Sequence, residues 1–240
     1  VAVLGAGYVA VELAGLLHAL GVDVTLVIRN TTVLKSFDQE VATNLLDQMR
    51  EQGVKVLEKS SPKQLVQDGD DVAIDFENGQ SAGGFDKVIW AIGRRPVTGS
   101  LGLEALGIEV SRSGHIGVDE YQNTSVSSVY ALGDATGEIE LTPVAIRAGR
   151  QLAERLFNNK PNAKADYSCV PTAIFSHPPI GTVGLSEEQA KAEYGDIKVY
   201  RSGFAPLYYA FSEHKVKTLM KMIVTGPEEK VVGIHMIGRD

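Results

Sequence analysis

The sequence has 240 residues, of which 44% are hydrophobic, and its formal net charge is -7 at pH 7. This acidic balance argues against a nucleic-acid partner, because phosphate binding requires a basic face. No apolar run is long enough to span a bilayer, so the sequence predicts no membrane helix. The single cysteine, Cys169, excludes an intramolecular disulfide and a cysteine-rich metal site, and it suits a reducing compartment such as the cytoplasm.

The first part of the chain alternates strand and helix patterns. Short apolar runs predict strands at Val1–Leu4, Val22–Ile28, Val54–Leu57, Val72–Phe76 and Val88–Ile92. Apolar residues at helical spacing predict helices over Tyr8–Leu20 and Asp38–Gln52, with Asp38 as an N-cap residue. Strands joined through helices by short links indicate a right-handed parallel βαβ unit.

After Pro96 the regular alternation of predicted strands and helices ends. A strand is predicted at Val129–Leu132 and a helix at Thr142–Phe157. From about Asp166 the patterns predict an antiparallel, α+β arrangement, with strands at Thr172–Ser176, Thr182–Leu185, Lys198–Phe204, Lys217–Val224 and Val231–Ile237. Both ends of the chain lie in or beside apolar strand-like runs, so we expect it to be a segment of a longer protein.

The strongest local motif is the glycine-rich turn that follows the first strand and opens the first helix. Gly5 permits a tight turn, Gly7 lets the backbone approach a pyrophosphate, and Ala10 allows close packing of helix on strand. The helix N-terminus offers free N–H groups and a positive dipole end. The motif predicts dinucleotide binding; the alternative is a tight strand-to-helix turn without a ligand.

The residues after the second strand indicate which dinucleotide is bound. An NAD site usually has an acidic residue there, which accepts hydrogen bonds from the ribose 2′-hydroxyl. Here the strand runs into Arg29, and Lys35 follows six residues later. Both are suited to a 2′-phosphate, Arg29 in bidentate fashion. The sequence therefore favours NADPH over NADH, the alternative being an ordinary solvated pair of basic residues.

A second nucleotide signature lies in the sequence TSVSSVYALGDA. The carboxylate of Asp134 is placed to accept a hydrogen bond from a sugar-alcohol hydroxyl, and Gly133 allows close approach. A Gly-Asp turn alone is commonly structural, but here a helix begins shortly after it, at Leu141-Thr142-Pro143. The combination is typical of a flavin site.

With these motifs, the chain resembles the pyridine nucleotide–disulfide oxidoreductases, and within them the glutathione reductases. The matching stretches include GAGYVAVELAG, WAIGRRP, VDEYQNT, VYALGDATG, LTPVAIRAGR, PTAIFSHPPIGTVGLSE and EEKVVGIHMIG. The resemblance implies an α/β fold with a Rossmann-like NADPH-binding domain at residues 1–96. It further implies the C-terminal part of a FAD-binding domain at 97–164 and part of an α+β interface (dimerisation) domain at 165–240.

The resemblance also assigns roles to individual residues. Contacts to NADPH, or to the nicotinamide pocket, are implied for Gly5, Gly7, Tyr8, Val9, Ala10, Glu12, Arg29, Lys35, Gly93 and Arg94. Contacts to FAD are implied for Gly133, Asp134, Leu141 and Thr142. Arg150 matches an arginine that pairs with a carboxylate of glutathione. Lys35 stands where the family has a second arginine, and the resemblance gives Arg147 no role.

The implied activity is NADPH-dependent reduction of glutathione disulfide, through FAD and a redox-active dithiol, by a homodimer. The chain contains neither the dithiol nor the family's catalytic histidine, so we expect no catalytic residue here and no activity from this chain alone. Two alternatives remain open. One is another family enzyme, of the trypanothione, mercuric or dihydrolipoamide type. The other is a non-catalytic nucleotide-binding module.

Overall fold

The computed structural model describes residues 1–212 and 216–239. The chain forms two compact units, one of Val1–Gly93 with Pro171–Asp240 and the other of Arg94–Val170. Every named strand of the described residues belongs to the first unit. The described residues form the α-helices α1 (Tyr8–Ala19), α2 (Gln39–Glu51), α3 (Thr142–Phe157) and α4 (Glu187–Tyr194).

The strands of residues 1–212 and 216–239 number twelve and form three sheets. They are β1 (Ala2–Leu4), β2 (Thr25–Val27), β3 (Lys55–Leu57), β4 (Pro62–Asp68), β5 (Asp71–Phe76), β6 (Ser81–Phe85), β7 (Val88–Trp90), β8 (Thr172–Ile174), β9 (Ile180–Gly184), β10 (Ile197–Phe204), β11 (Thr218–Thr225) and β12 (Lys230–Ile237). The sheet orders are β3-β2-β1-β7, β4-β5-β6 and β10-β11-β12-β9-β8. The predicted α/β fold, with its Rossmann-like part and its α+β part, is confirmed.

The first sheet is wholly parallel and forms the centre of the first unit. Strands β1 and β2 are buried along their full length, as expected for a parallel sheet covered on both faces. Helix α2 is amphipathic, and its buried face includes Leu45 and Met49. Its predicted N-cap is confirmed, because the Asp38 side chain accepts from the Glu40 backbone N–H at 3.2 Å.

The three-stranded sheet contains two strands that the sequence patterns did not predict. Only β5 was expected. Strand β4 is exposed along most of its length, and β6 has the sequence SAGGF, so neither shows the apolar alternation of a half-buried strand. Their positions follow from antiparallel pairing with β5, which buries Ile74 and Phe76.

The five-stranded sheet confirms the antiparallel arrangement predicted for the last part of the chain. Helix α4, between β9 and β10, was not predicted. It begins with a capping box, in which the Ser186 side chain accepts from the Gln189 N–H and the Gln189 side chain accepts from the Ser186 N–H. The sequence Ser-Glu-Glu-Gln carries that signal locally, so the element was predictable from capping rather than from periodicity.

The second unit consists of loops, short 3₁₀ turns and α3. The strand predicted at Val129–Leu132 is wrong, because this segment makes only an isolated bridge, Asn123 with Tyr130. Arg155 of α3 fixes the loop instead. Its guanidinium donates to the Tyr121 carbonyl and to Asn123 Oδ1, both at 2.8 Å.

A buried ion cluster joins α2 and α4 to the five-stranded sheet within the first unit. The side chain of Lys221, on β11, is only 2% exposed, and its ammonium lies 2.9 Å from carboxylate oxygens of Asp38, Glu40 and Glu187. Arg201, on β10, pairs with Glu40 at 2.8 Å and with Glu187 at 2.7 Å. Hydrogen bonds from Lys191 and Lys221 lower the pKa of Glu187 to about 2.

The ion cluster predicts a loss of stability in acid. A carboxyl group whose pKa is lower in the folded protein contributes stability that is complete above its unfolded pKa and disappears as pH falls through its folded pKa. We expect Glu187→Gln to reduce the free energy of unfolding by about 2 kcal/mol at pH 7. The difference in the free energy of unfolding between the variant and the wild type should become smaller as pH falls from about 5 towards 2.

Urea unfolding across this pH range tests the prediction. Glu188→Gln is the matched control, because Glu188 is the exposed neighbour on α4 and belongs to no described ion pair of residues 1–212 and 216–239. Equal effects of the two substitutions, or a difference that does not change with pH, would contradict it.

Candidate functional site

The glycine-rich turn lies where three parallel strands end. The Gly5 N–H donates to the Val27 carbonyl of β2 at 3.0 Å, and the Ala91 N–H donates to the Leu4 carbonyl at 2.8 Å. Gly5 has φ +139°, and a Cβ at this position would lie 2.2 Å from the Ala91 carbonyl oxygen. Glycine is therefore required here by the fold itself. The carboxyl ends of parallel strands are where open α/β sheets bind their ligands.

Gly7 differs from Gly5, because the fold does not require it to be glycine. It is the N-cap residue of α1 with φ -83°, an ordinary value for any residue, and no atom lies within 4 Å of the position its Cβ would take. The first turn of α1 has no side-chain cap and no acidic residue. The first N–H groups of any helix have no acceptor in a preceding turn, and Gly7 leaves open space beside those of α1, which is an arrangement suited to an anion.

Two exposed cations follow β2, as the sequence predicted. Arg29 and Lys35 are both exposed, and within residues 1–212 and 216–239 neither side chain has a described ion-pair partner. The loop that carries them is fixed to the glycine turn, since the Leu34 N–H donates to the Ala6 carbonyl at 2.7 Å. Leu34 is buried with φ +53°. The structure therefore brings the loop backbone beside the glycine turn, a contact that the sequence did not reveal.

Other residues assigned to the nicotinamide pocket surround α1. Tyr8 is half-buried and packs against the core, as Ala10 does from a fully buried position. Glu12 accepts a hydrogen bond from the Phe175 N–H at 2.8 Å. This bond joins α1 to the segment after β8, and no local sequence pattern predicts it. Val9 is half-buried, and Gly93 is exposed with φ +153°.

The second candidate site lies in the other unit, around the Gly-Asp turn. Gly133 is buried with φ +68°, and its Cβ would lie 3.0 Å from the Ala145 Cβ of α3. Asp134 follows in the same 3₁₀ turn, and its side chain is exposed. Helix α3 begins at Thr142 after Leu141, which provides no side-chain cap. An exposed carboxylate and an uncapped helix N-terminus thus belong to the same unit.

Arg94 and Arg150 occupy different surroundings in this second unit. Arg94 pairs with Glu140 at 2.5 Å, so its charge is already compensated. Arg150 is exposed on α3 and has no described ion-pair partner among residues 94–170.

The described residues of the whole chain contain no group of three or more His, Cys, Asp or Glu side chains placed to hold a metal ion. They also contain no helix that is both long and apolar enough to cross a membrane.

Comparison with known proteins identifies the family. Residues 1–149 match the family model described as pyridine nucleotide-disulphide oxidoreductase, and residues 170–240 match the model of its dimerisation domain. The chain belongs to the pyridine nucleotide-disulphide oxidoreductase family. The resemblance inferred from the sequence motifs is confirmed.

Similar proteins refine this assignment. The chain is 43% identical over 247 residues to a glutathione reductase of Yarrowia lipolytica, with 100% of this chain and 53% of that protein covered. It is similar to the HOCl-induced flavoprotein disulfide reductase RclA from Escherichia coli, with a TM-score of 0.89, 27% identity, and 100% and 55% of the two chains covered. The structure of the Cu(II) complex of RclA has a TM-score of 0.90 and 28% identity to this chain, and the match covers 100% of this chain and 54% of that one. The chain thus spans about half the length of these relatives.

The two glycines of the turn make a testable contrast. Gly5→Ala should lower the free energy of unfolding by more than about 2 kcal/mol, because the new Cβ meets a backbone oxygen and alanine is strained at this φ. Gly7→Ala should change it by less than about 0.5 kcal/mol, because its backbone is ordinary and the space is open. Urea unfolding of both variants measures the difference, and equal losses would refute this interpretation of the turn.

Proposed function

We propose that this chain forms the NADPH-binding part, and a share of the FAD-binding part, of a reductase that converts glutathione disulfide to glutathione. The observation that carries the proposal is the exposed pair of cations, Arg29 and Lys35, which have no ion-pair partner among residues 1–212 and 216–239 and lie on a loop hydrogen-bonded to the glycine turn. Cations of this kind suit a 2′-phosphate, and a helix N-terminus such as that of α1 suits a pyrophosphate.

The described residues fit the pyrophosphate and the 2′-phosphate of NADPH. Gly7 leaves open space in front of uncapped N–H groups, so a pyrophosphate would be held by the start of α1. Arg29 would hold the 2′-phosphate with its planar fork, and Lys35 would add a point charge. Tyr8, Val9, Glu12, Gly93 and Arg94 are proposed to line the nicotinamide end.

The residues of the second unit fit part of a flavin site. Asp134 would accept a hydrogen bond from a ribityl hydroxyl, and Gly133 keeps the turn tight against Ala145. Leu141 and Thr142 would present backbone groups to the flavin ring, because α3 starts there without a side-chain cap. We propose FAD as this flavin.

The overall reaction takes one hydride from NADPH and one proton, and it splits the S–S bond of glutathione disulfide into two thiols. When bound, the nicotinamide supplies the hydride and the flavin passes its electron pair towards a disulfide. Residues of this chain bind and orient the two cofactors and the substrate. Its one cysteine, Cys169, cannot form a dithiol alone, so the redox-active pair would come from polypeptide outside this chain.

The choice of glutathione disulfide is supported by Arg150 and by the relative from Yarrowia lipolytica. Arg150 is proposed to pair with a carboxylate of the substrate. We assign residues 1–96 to the NADPH domain, 97–164 to the FAD domain and 165–240 to the interface domain. The match to a dimerisation domain supports a homodimer, and the single cysteine supports a cytoplasmic location.

A second candidate is a family enzyme that reduces a different disulfide. The similarity to RclA supports this second candidate, because RclA is described as a flavoprotein disulfide reductase without a named disulfide. Arg29 and Lys35 argue against the NAD-using dihydrolipoamide enzymes, and Arg150 argues against a positively charged substrate such as trypanothione disulfide.

The first test compares NADPH and NADH as donors with the complete gene product. Wild-type protein should oxidise NADPH rapidly with glutathione disulfide and should be slow with NADH, lipoamide or trypanothione disulfide. Arg29→Ala should lower kcat/KM for NADPH by about 10- to 100-fold, because a charge-assisted bidentate contact is lost. Its kcat/KM for NADH should not change.

Lys63→Ala is the control, since Lys63 is an exposed cation on β4. An equal loss with both nucleotides would reject the role of Arg29. Turnover with NADPH but only with another disulfide would favour the second candidate. No turnover with any disulfide, despite bound flavin, would favour a binding module.

The flavin site predicts a separate effect of Asp134. Asp134→Ala should weaken flavin retention by about 10-fold, because a hydrogen bond from the ribityl chain to a carboxylate is lost. The ratio of visible flavin absorbance to protein absorbance, measured after dialysis, reports it. Glu138→Ala removes another exposed acid of the same loop and should retain the wild-type ratio. Equal ratios in both variants would contradict the assignment.

A further inference from the structure

An open hollow of about 570 Å³ lies along one face of α3, in the second unit. Arg147, Arg150 and Gln151 line its polar side, and Pro143 and Ile146 line its apolar side. The proposed function uses only Arg150 in this region. Arg147 lies one helical turn before it, and nothing in the fold explains its presence.

The two arginines of the hollow are not neutralised by the protein. Within residues 94–170, neither guanidinium has an ion pair in the described structure. Glu154 and Lys160 also line the hollow, but they pair with each other at 2.5 Å, and Glu154 accepts a hydrogen bond from Asn158 at 2.8 Å. Asp166 is held in its ionised form mainly by hydrogen bonds from Ser168, which lower its pKa, and Arg147 contributes only a weaker, longer-range attraction.

Two like charges at this spacing repel each other. Residues three apart on a helix are neighbours, and a like-charge pair there is unfavourable by itself. An anion that contacts both guanidiniums would remove that repulsion and gain charge-assisted hydrogen bonds from two planar forks. The hollow is therefore suited to a ligand with closely spaced carboxylates and an apolar part that contacts Ile146.

We propose that Arg147 is a specificity-determining residue, which acts with Arg150 to bind the carboxylates of an acidic disulfide. This inference rests on the proposed function. Glutathione disulfide carries four carboxylates and two ammonium groups, so it is a net dianion at neutral pH. Because the Lys160 ammonium is paired with Glu154, Arg150 alone would leave the site one cation for the ligand, and Arg147 adds a second. Arg147 thus selects for acidic disulfides over neutral or cationic ones.

The test uses the complete gene product with NADPH and varies the disulfide. Arg147→Ala should raise the KM for glutathione disulfide by about three- to tenfold with little change in kcat, the effect expected for a partly exposed charge-assisted contact. Arg147→Lys should recover part of the loss. Arg112→Ala is the matched control, because it removes another exposed arginine of the same unit outside the hollow. NADPH-dependent reduction of ferricyanide should be equal in all variants, which checks that the cofactor sites are intact.

Esterified substrates separate a direct contact from an indirect one. If Arg147 binds a carboxylate, its substitution should have no effect on KM for glutathione disulfide with all four carboxylates esterified. The disulfide esterified only at its glycine carboxylates then shows which carboxylate is bound. A penalty that persists on the tetraester would overturn the inference, and so would an Arg147→Ala enzyme that matches Arg112→Ala. A wild-type enzyme that cannot reduce glutathione disulfide would instead overturn the proposed function, and this inference with it.

Discussion

One buried ammonium group, that of Lys221, joins α2 and α4 to the five-stranded sheet of the first unit. A buried charge is strongly unfavourable unless it is paired, and Lys221 is paired with carboxylates from α2 and α4 at 2.9 Å. Asp38 serves twice, because it caps α2 and also accepts from Lys221. Loss of the ammonium would leave three carboxylates close together, one of them almost fully buried. The ion cluster therefore acts together with the apolar packing of α2, in one core with Ile237 of β12, to position α2 on the five-stranded sheet.

The same interaction fixes the loop that carries the proposed nucleotide contacts. This loop, residues 29–37, begins after Ile28, whose N–H donates to the Leu57 carbonyl at 2.8 Å, and ends at Asp38 in the ion cluster. Between these points the Leu34 N–H is bonded to Ala6 in the glycine turn. The backbone is thus fixed at three places while Arg29 and Lys35 remain exposed. A ligand that binds here meets a loop already ordered, which lowers the entropic cost of binding.

Local signals predicted much of this structure, and long-range contacts account for what they missed. Helix α3 was predicted with its observed bounds, because its apolar spacing and Pro143 near its start are local features. Strand β6 was missed because two of its five residues are glycine and its pairing partner decides its conformation. The glycine turn was predicted from neighbouring residues. The ion pairs of Lys221 with Asp38 and Glu40, and the bond from Phe175 to Glu12, join residues more than 140 positions apart, and no sequence periodicity reports such contacts.

The proposed ligands and the protein carry charges of the same sign, so binding depends on local fields. The chain has a net charge of -7, and both NADPH and glutathione disulfide are anions. At physiological salt the Debye length is about 8 Å, so distant acidic groups are largely screened and near cations dominate. Lys221 and Arg201 are already paired with carboxylates of the ion cluster, so their charges are not available to a ligand. Arg29 and Arg150 are left without described partners among residues 1–212 and 216–239, beside an uncapped helix start and in an open hollow. Cations such as Arg29 and Arg150, which hold no described ion pair and lie near a helix start or in a hollow, are the ones available to an anionic ligand.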